Sequence, residues 1–147
     1  MATPWTITVD CADAHLLAEF WSAALGYAPA PPPTGFATWE AWLVHHEVPA
    51  DEWGDVAAIS DPEGAGPRIS FLRVDEPRTV KNRLHLDLQV TGGRHLPDEL
   101  RGERLGSEAR RLCALGARVV EEHLSPGSPH VDHLWMADPE GNDFCIV

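Results

Sequence analysis

Asp61-Pro62-Glu63-Gly64 returns 77 residues later as Asp138-Pro139-Glu140-Gly141, and each copy leads into a short apolar segment. Two further echoes keep the same order. Ala24-Leu25-Gly26 returns as Ala114-Leu115-Gly116, each closing a helix-like stretch, and Thr6-Ile7-Thr8-Val9-Asp10 has a counterpart in His85-Leu86-Asp87-Leu88-Gln89 at an offset of 79. Three pairs whose offsets differ by loop-sized amounts argue for two copies of one supersecondary unit.

Working outward from these echoes, each copy reads as strand, helix, then further strands. In the first, Trp5, Ile7 and Val9 alternate with Thr6, Thr8 and Asp10, the period of a strand with one buried face. Asp13 suits a helix N-cap, and Leu16, Leu17, Phe20, Ala24 and Leu25 follow at helical spacing. Gly26 suits the left-handed position past the end. Thr38 can cap a short second helix carrying Trp39, Trp42, Leu43 and His46, ended by Pro49. Residues 55–60 and 68–74 read as strands joined by the first Asp-Pro-Glu-Gly turn. The first module spans about 4–77.

The second module, about 82–147, opens with residues 83–90. There Leu84, Leu86, Leu88 and Val90 alternate with Arg83, His85, Asp87 and Gln89, the clearest strand pattern in the chain. A helix from about 97 to 115 would place Leu100, Leu105, Leu112 and Leu115 in the core. Gly102 and Gly106 each cost about 1 kcal/mol relative to alanine and leave room for a break. Residues 117–122, 131–137 and 142–147 complete the module as strands. Alternation puts Arg83, His85, Asp87 and Gln89 on the face away from the leucines, and the 79 offset gives Thr6, Thr8 and Asp10 the equivalent places in the first copy. Four polar side chains on one face require water, a ligand or a hydrogen-bond network.

Composition bounds the function. The 147 residues are 44% hydrophobic and 23% charged, the profile of one globular domain. A formal charge of −12, with no run of basic residues and one lysine, Lys81, argues against nucleic acid and an anionic membrane surface as partners. No stretch has the length of a membrane span or the form of a signal peptide, which places the expected location in the cytoplasm. Cys11, Cys113 and Cys145 are odd in number and widely spaced, so reduced thiols are expected rather than a disulfide framework.

A duplicated strand-helix-strands unit with Asp-Pro-Glu-Gly before each last strand resembles the vicinal oxygen chelate superfamily of glyoxalases, bleomycin-resistance proteins and extradiol dioxygenases. The segments Gly35-Phe36-Ala37-Thr38-Trp39-Glu40-Ala41-Trp42-Leu43, Lys81-Asn82-Arg83-Leu84-His85-Leu86-Asp87-Leu88 and Ala137-Asp138-Pro139-Glu140-Gly141-Asn142-Asp143-Phe144-Cys145 look like its bacterial glyoxalase-like subfamily. The resemblance implies an α+β domain over residues 1–147, two βαβββ-like modules with a half-open mixed sheet around a cleft. It also implies a small organic ligand, aromatic ones included. A homodimer is compatible with it, because paired protomers can complete each other's cavity.

Metal-dependent members carry ligands on the first and last strands of each copy. Those places fall on Thr6 and about Ser70, then on His85 and Cys145. A catalytic ion needs about three protein ligands and an open position, and the hydroxyls of Thr6 and Ser70 are poor ligands. No classical metal site is therefore expected. His85 is the best single candidate for holding a divalent ion, and a cluster of His85, Asp87, His133 and Cys145 is the alternative. Without a metal the chemistry open to the site is proton transfer, with His85 as base, Asp87 orienting it and Arg83 stabilising an oxyanion. Thr6, Thr8, Trp39, Trp42, Trp53, His133, Trp135 and Cys145 are the candidate ligand-binding residues. Residues 31–53 read as a lid or a rigid surface excursion. The rival functions are a metal-dependent lyase, isomerase or dioxygenase and a drug-sequestering resistance protein.

Overall fold

The computed structural model describes residues 1–147, which divide into two units, Met1–Pro77 and Arg78–Val147. Both units build the same four-stranded mixed sheet. The first contains β1 (Ile7–Cys11), α1 (Ala14–Leu25), β2 (Ala28–Pro29), α2 (Trp39–His45), β3 (Val56–Ser60) and β4 (Ile69–Arg73), in sheet order β1-β4-β3-β2. The second contains β5 (Asp87–Leu88), α3 (Asp98–Ala114), β6 (Arg118–Leu124), β7 (Val131–Ala137) and β8 (Asp143–Ile146), in order β5-β8-β7-β6. In each the first strand lies parallel to the last and every other pairing is antiparallel. The fold is α+β, as the doubled sequence implies.

The ends of α1 follow from local chemistry. The Asp13 carboxylate accepts the N–H groups of His15 and Leu16, and Gly26 ends the helix at φ 73°, where a side chain would be strained. Its buried stripe is Leu17, Phe20, Trp21 and Ala24, at i, i+3, i+4 and i+7. Leu16 is exposed, since it lies about 100° around the helix from Leu17. Thr38 caps α2 through the Ala41 N–H, yet no residue of α2 is buried, and a 3₁₀ turn (Ala50–Glu52) follows Pro49.

Three expectations need correction. Helix α3 runs unbroken through Gly102 and Gly106, because packing of Leu105, Ala109 and Leu112 outweighs the glycine cost. Leu115 ends the helix in an exposed position, and Arg101 takes a core place instead. Its guanidinium, buried apart from 6% of its side-chain surface, bonds the Asp132 carboxylate at 2.9 Å and Asp98 at 3.2 Å. The third correction concerns residues 83–90, which form a strand only at Asp87–Leu88. Leu84 is 76% exposed, because β8 offers partners only from the Cys145 N–H onward, which bonds the Leu86 carbonyl.

The repeated turns behave alike. Asp61 accepts the N–H groups of Glu63, Ala65 and Gly66, and Asp138 accepts those of Glu140 and Asn142. The following glycines, Gly64 and Gly141, sit at φ 71° and 85°. No helix is long and apolar enough to cross a membrane.

Candidate functional site

The parallel pairing in each sheet defines equivalent places. In the first unit Thr8 lies opposite Ser70, and in the second Asp87 lies opposite Cys145, so Thr6 falls one step ahead of β1. Antiparallel pairing carries the second row onward, from Cys145 to Trp135 on β7 and from Trp135 to Glu121 on β6. Since side chains alternate along a strand, Asp143, Cys145, Asp87, Trp135 and His133 share one face. Leu134, Met136, Phe144, Ile146 and Leu88 are buried on the other.

His85 and Asp87 meet on that polar face. The imidazole Nδ1 lies 2.9 Å from Asp87 Oδ1, an arrangement that in a neutral ring favours the proton on Nδ1 and the lone pair on Nε2. Cys145 lies beside them. Burial pushes its thiol up from the ordinary range and the Asp87 charge pushes it further, against the opposing pull of Lys81. The group is therefore a neutral thiol at neutral pH rather than an activated nucleophile.

Asp143 is the buried anchor of this face. Its carboxylate accepts the Asn82 N–H at 2.8 Å, the Trp135 indole N–H at 2.9 Å and a guanidinium N–H of Arg78. Burial by itself would raise its pKa, but these three donors together hold the carboxyl below the usual range. The segment between Arg78 and Asn82 is thereby tied to the sheet, and it sets the Lys81 ammonium 3.8 Å from the Trp135 ring centroid. Lys81, Arg78, Asn82 and Asp143 had no assigned role in the sequence reading. The available signal was an aspartate in the otherwise apolar run Asp143-Phe144-Cys145-Ile146 and a solitary lysine just before the His85 strand.

The other candidates fall elsewhere. His133 bonds Asp132 at 3.1 Å and stacks on His123 across the β6–β7 pair, with centroids 4.4 Å apart. Arg83 is exposed in the bend before β5 and forms no hydrogen bond or ion pair. Trp39, Trp42 and Trp53 belong to the first unit. The indoles of Trp39 and Trp53 donate to the carbonyls of Ala30 and Val48, while Trp42 stacks with His46 at 4.3 Å. Phe36, His45 and His46 extend this ring cluster on an excursion peculiar to the first unit.

Does the donor set suit a divalent ion? In the first unit Thr8 and Ser70 offer only neutral hydroxyls, which do not fit. In the second, one ligand atom each from His85, Asp87 and Cys145 lie within 4.8 Å of one another. Nitrogen, oxygen and sulfur together suit a borderline ion such as zinc, three protein ligands leaving one position open.

A family model described as a glyoxalase-like domain matches residues 6–147. No curated protein matches the chain. Several solved structures share the fold at low identity. A glyoxalase/bleomycin resistance protein/dioxygenase family enzyme from Burkholderia phytofirmans is 13% identical, with 96% of this chain and 94% of that one covered and a TM-score of 0.56. A mutant of the genomically encoded fosfomycin resistance protein FosX from Listeria monocytogenes, complexed with Mn(II) and 1S,2S-dihydroxypropylphosphonic acid, is 13% identical over 99% of this chain and 89% of its own, with a TM-score of 0.59. A possible glyoxalase from Bacillus cereus is 12% identical over 100% and 99%, with a TM-score of 0.57. With its doubled strand-helix-strands topology and a family match over nearly its whole length, this chain belongs to the glyoxalase-like domain family.

Proposed function

We propose that the chain binds a small organic molecule on the polar face of its second sheet and withdraws a proton from it, with His85 Nε2 as the base. Fold alone does not select a reaction, since one scaffold hosts many. The observation that carries the reading is the 2.9 Å His85–Asp87 pair on the polar face of the second sheet. Asp87 orients the ring and stabilises the imidazolium that forms when Nε2 takes the proton, while the bonding electron pair stays on the ligand. Return of the proton to the same or a neighbouring atom completes an exchange or an isomerisation.

The convergence of His85, Asp87 and Cys145 supports a second reading, a metal-dependent member of the same superfamily. These three side chains would hold the ion, and the ion would supply Lewis acidity to a bound oxygen. The two readings use the same imidazole, so one experiment separates them. Purified protein is incubated in turn with Mn, Fe, Co, Ni and Zn salts, desalted and assayed for metal. In parallel, mixtures of small carbonyl compounds and aromatic acids are followed by NMR for binding and for exchange of carbon-bound hydrogen in deuterated solvent. The base reading expects metal-independent exchange that His85→Ala abolishes and Asp87→Ala lowers by about 10²-fold or more. If both variants leave binding and exchange unchanged, the site lies elsewhere. One ion per chain, lost in His85→Ala, establishes the second reading. Tight binding with recovery of an unaltered ligand and no exchange identifies a sequestering protein.

A further inference from the structure

We propose that Lys81 is an anion anchor, so that the ligand of the second sheet carries a carboxylate or a similar oxyanion. The inference rests on the preceding reading of that face and names the class of its ligand. Lys81 is the one lysine in a chain with 23 acidic residues and a formal charge of −12. Chance contact would readily give such a lysine a carboxylate partner, yet it joins no ion pair. The buried carboxylate of Asp143, which takes the N–H of the neighbouring Asn82, is engaged by Arg78, Asn82 and Trp135 instead. Asp143 thus holds the segment that carries the lysine and, through the indole N–H, the ring beneath the ammonium. The cation is placed without being neutralised.

Its position relates it to the dyad. Trp135 lies opposite Cys145 and Cys145 opposite Asp87, so Lys81 stands over the third place of a row that begins at the His85–Asp87 pair and runs on to Glu121. The Lys81 charge is felt at the Cys145 sulfur in the middle of that row. Lys81 also covers a face of Trp135, so an incoming molecule there meets an ammonium before it meets an aromatic wall. An oxyanion resting on Lys81 would leave the remainder of a small molecule over Cys145, directed toward His85.

Benzoate and its neutral isostere benzamide test the charge requirement. Binding is read from the indole N–H resonance of Trp135 in isotope-labelled protein, assigned with Trp135→Phe. Benzoate is expected to move that resonance saturably and to bind about tenfold or more tightly than benzamide, the worth of one charge-assisted contact at a part-exposed site. Lys81→Gln should erase the difference and Lys81→Arg restore it. Equal binding of the two probes, or an undiminished preference in Lys81→Gln, overturns the anchor and leaves the His85 reading standing. An intact benzoate preference together with unchanged exchange in His85→Ala does the reverse. If neither probe perturbs Trp135, the anchor is overturned along with the ligand face.

Discussion

The two units have one topology and two different surfaces. Each has a parallel pair at one end of its sheet and an Asp-Pro-Glu-Gly turn before the last strand. Their paired residues differ in kind: Thr8 and Ser70 in the first unit, Asp87 and Cys145 in the second. Two residues before Ser70 and Cys145 stand Arg68, just ahead of β4, and Asp143, the first residue of β8. Arg68 is exposed, 5.8 Å from the Trp39 ring centroid, whereas Asp143 is buried under three donors. The comparison teaches that the buried face and the turns define the module, while the polar face is free to differ. Side chains able to move protons or hold ions gather on the polar face of the second module, and the first carries an aromatic excursion instead.

Removing the anchor should break the comparison most sharply. Asp143→Ala leaves Arg78, the Asn82 N–H and the Trp135 indole without their acceptor, and should lower stability by about 3 kcal/mol in chemical denaturation. The equivalent Arg68→Ala should change it by less than about 0.5 kcal/mol. Similar losses at the two positions would show that the polar faces are energetically alike.

The buried faces of the helices offer a second contrast. Unit one packs Phe20 against Trp21 edge-on at 5.3 Å, while unit two buries Arg101 against Asp132. Arg101→Met should cost about 2 kcal/mol, because Asp132 loses its buried partner, and adding Asp132→Leu should recover most of it. Recovery failing in the double variant would mean that the arginine acts through its stem rather than its charge.

A smaller effect should appear with pH. The Arg101 bond holds the Asp132 carboxyl below its ordinary range despite burial, with help from His133 and Arg94, and Asp143 is held low as described. A depressed native pKa contributes stability that is complete above the unfolded value, about 4, and lost as pH falls through the native values. Melting temperature should therefore be insensitive to these groups near neutrality and fall below about pH 4. Asp143→Asn should flatten part of that acid limb. An unchanged limb would assign it to Asp132 and to carboxylates of the first unit such as Asp61, which are also held low.

What could be read from sequence was local. Asp13 and Gly26 mark the ends of α1 within a few residues of the groups they satisfy, and the aspartates of both repeated turns bond N–H groups up to five residues on. The His85–Asp87 pair was legible for the same reason, being two residues apart in the segment that enters β5. Non-local features were not. The alternation at residues 83–90 is as regular as any in the chain, yet a strand exists only where a neighbour supplies hydrogen bonds. Arg101 could be buried only because Asp132 arrives from a separate strand. The place of Lys81 depends on Asp143 gathering donors from the segment before β5 and from β7.

The solitary lysine also makes the chain unusually easy to interrogate by covalent chemistry. An amine-selective acylating reagent has one side chain to modify, so a mass tag beyond that on the α-amino group reports on Lys81 alone. Protection of that single amine by compounds added one at a time converts an unidentified ligand into a footprint.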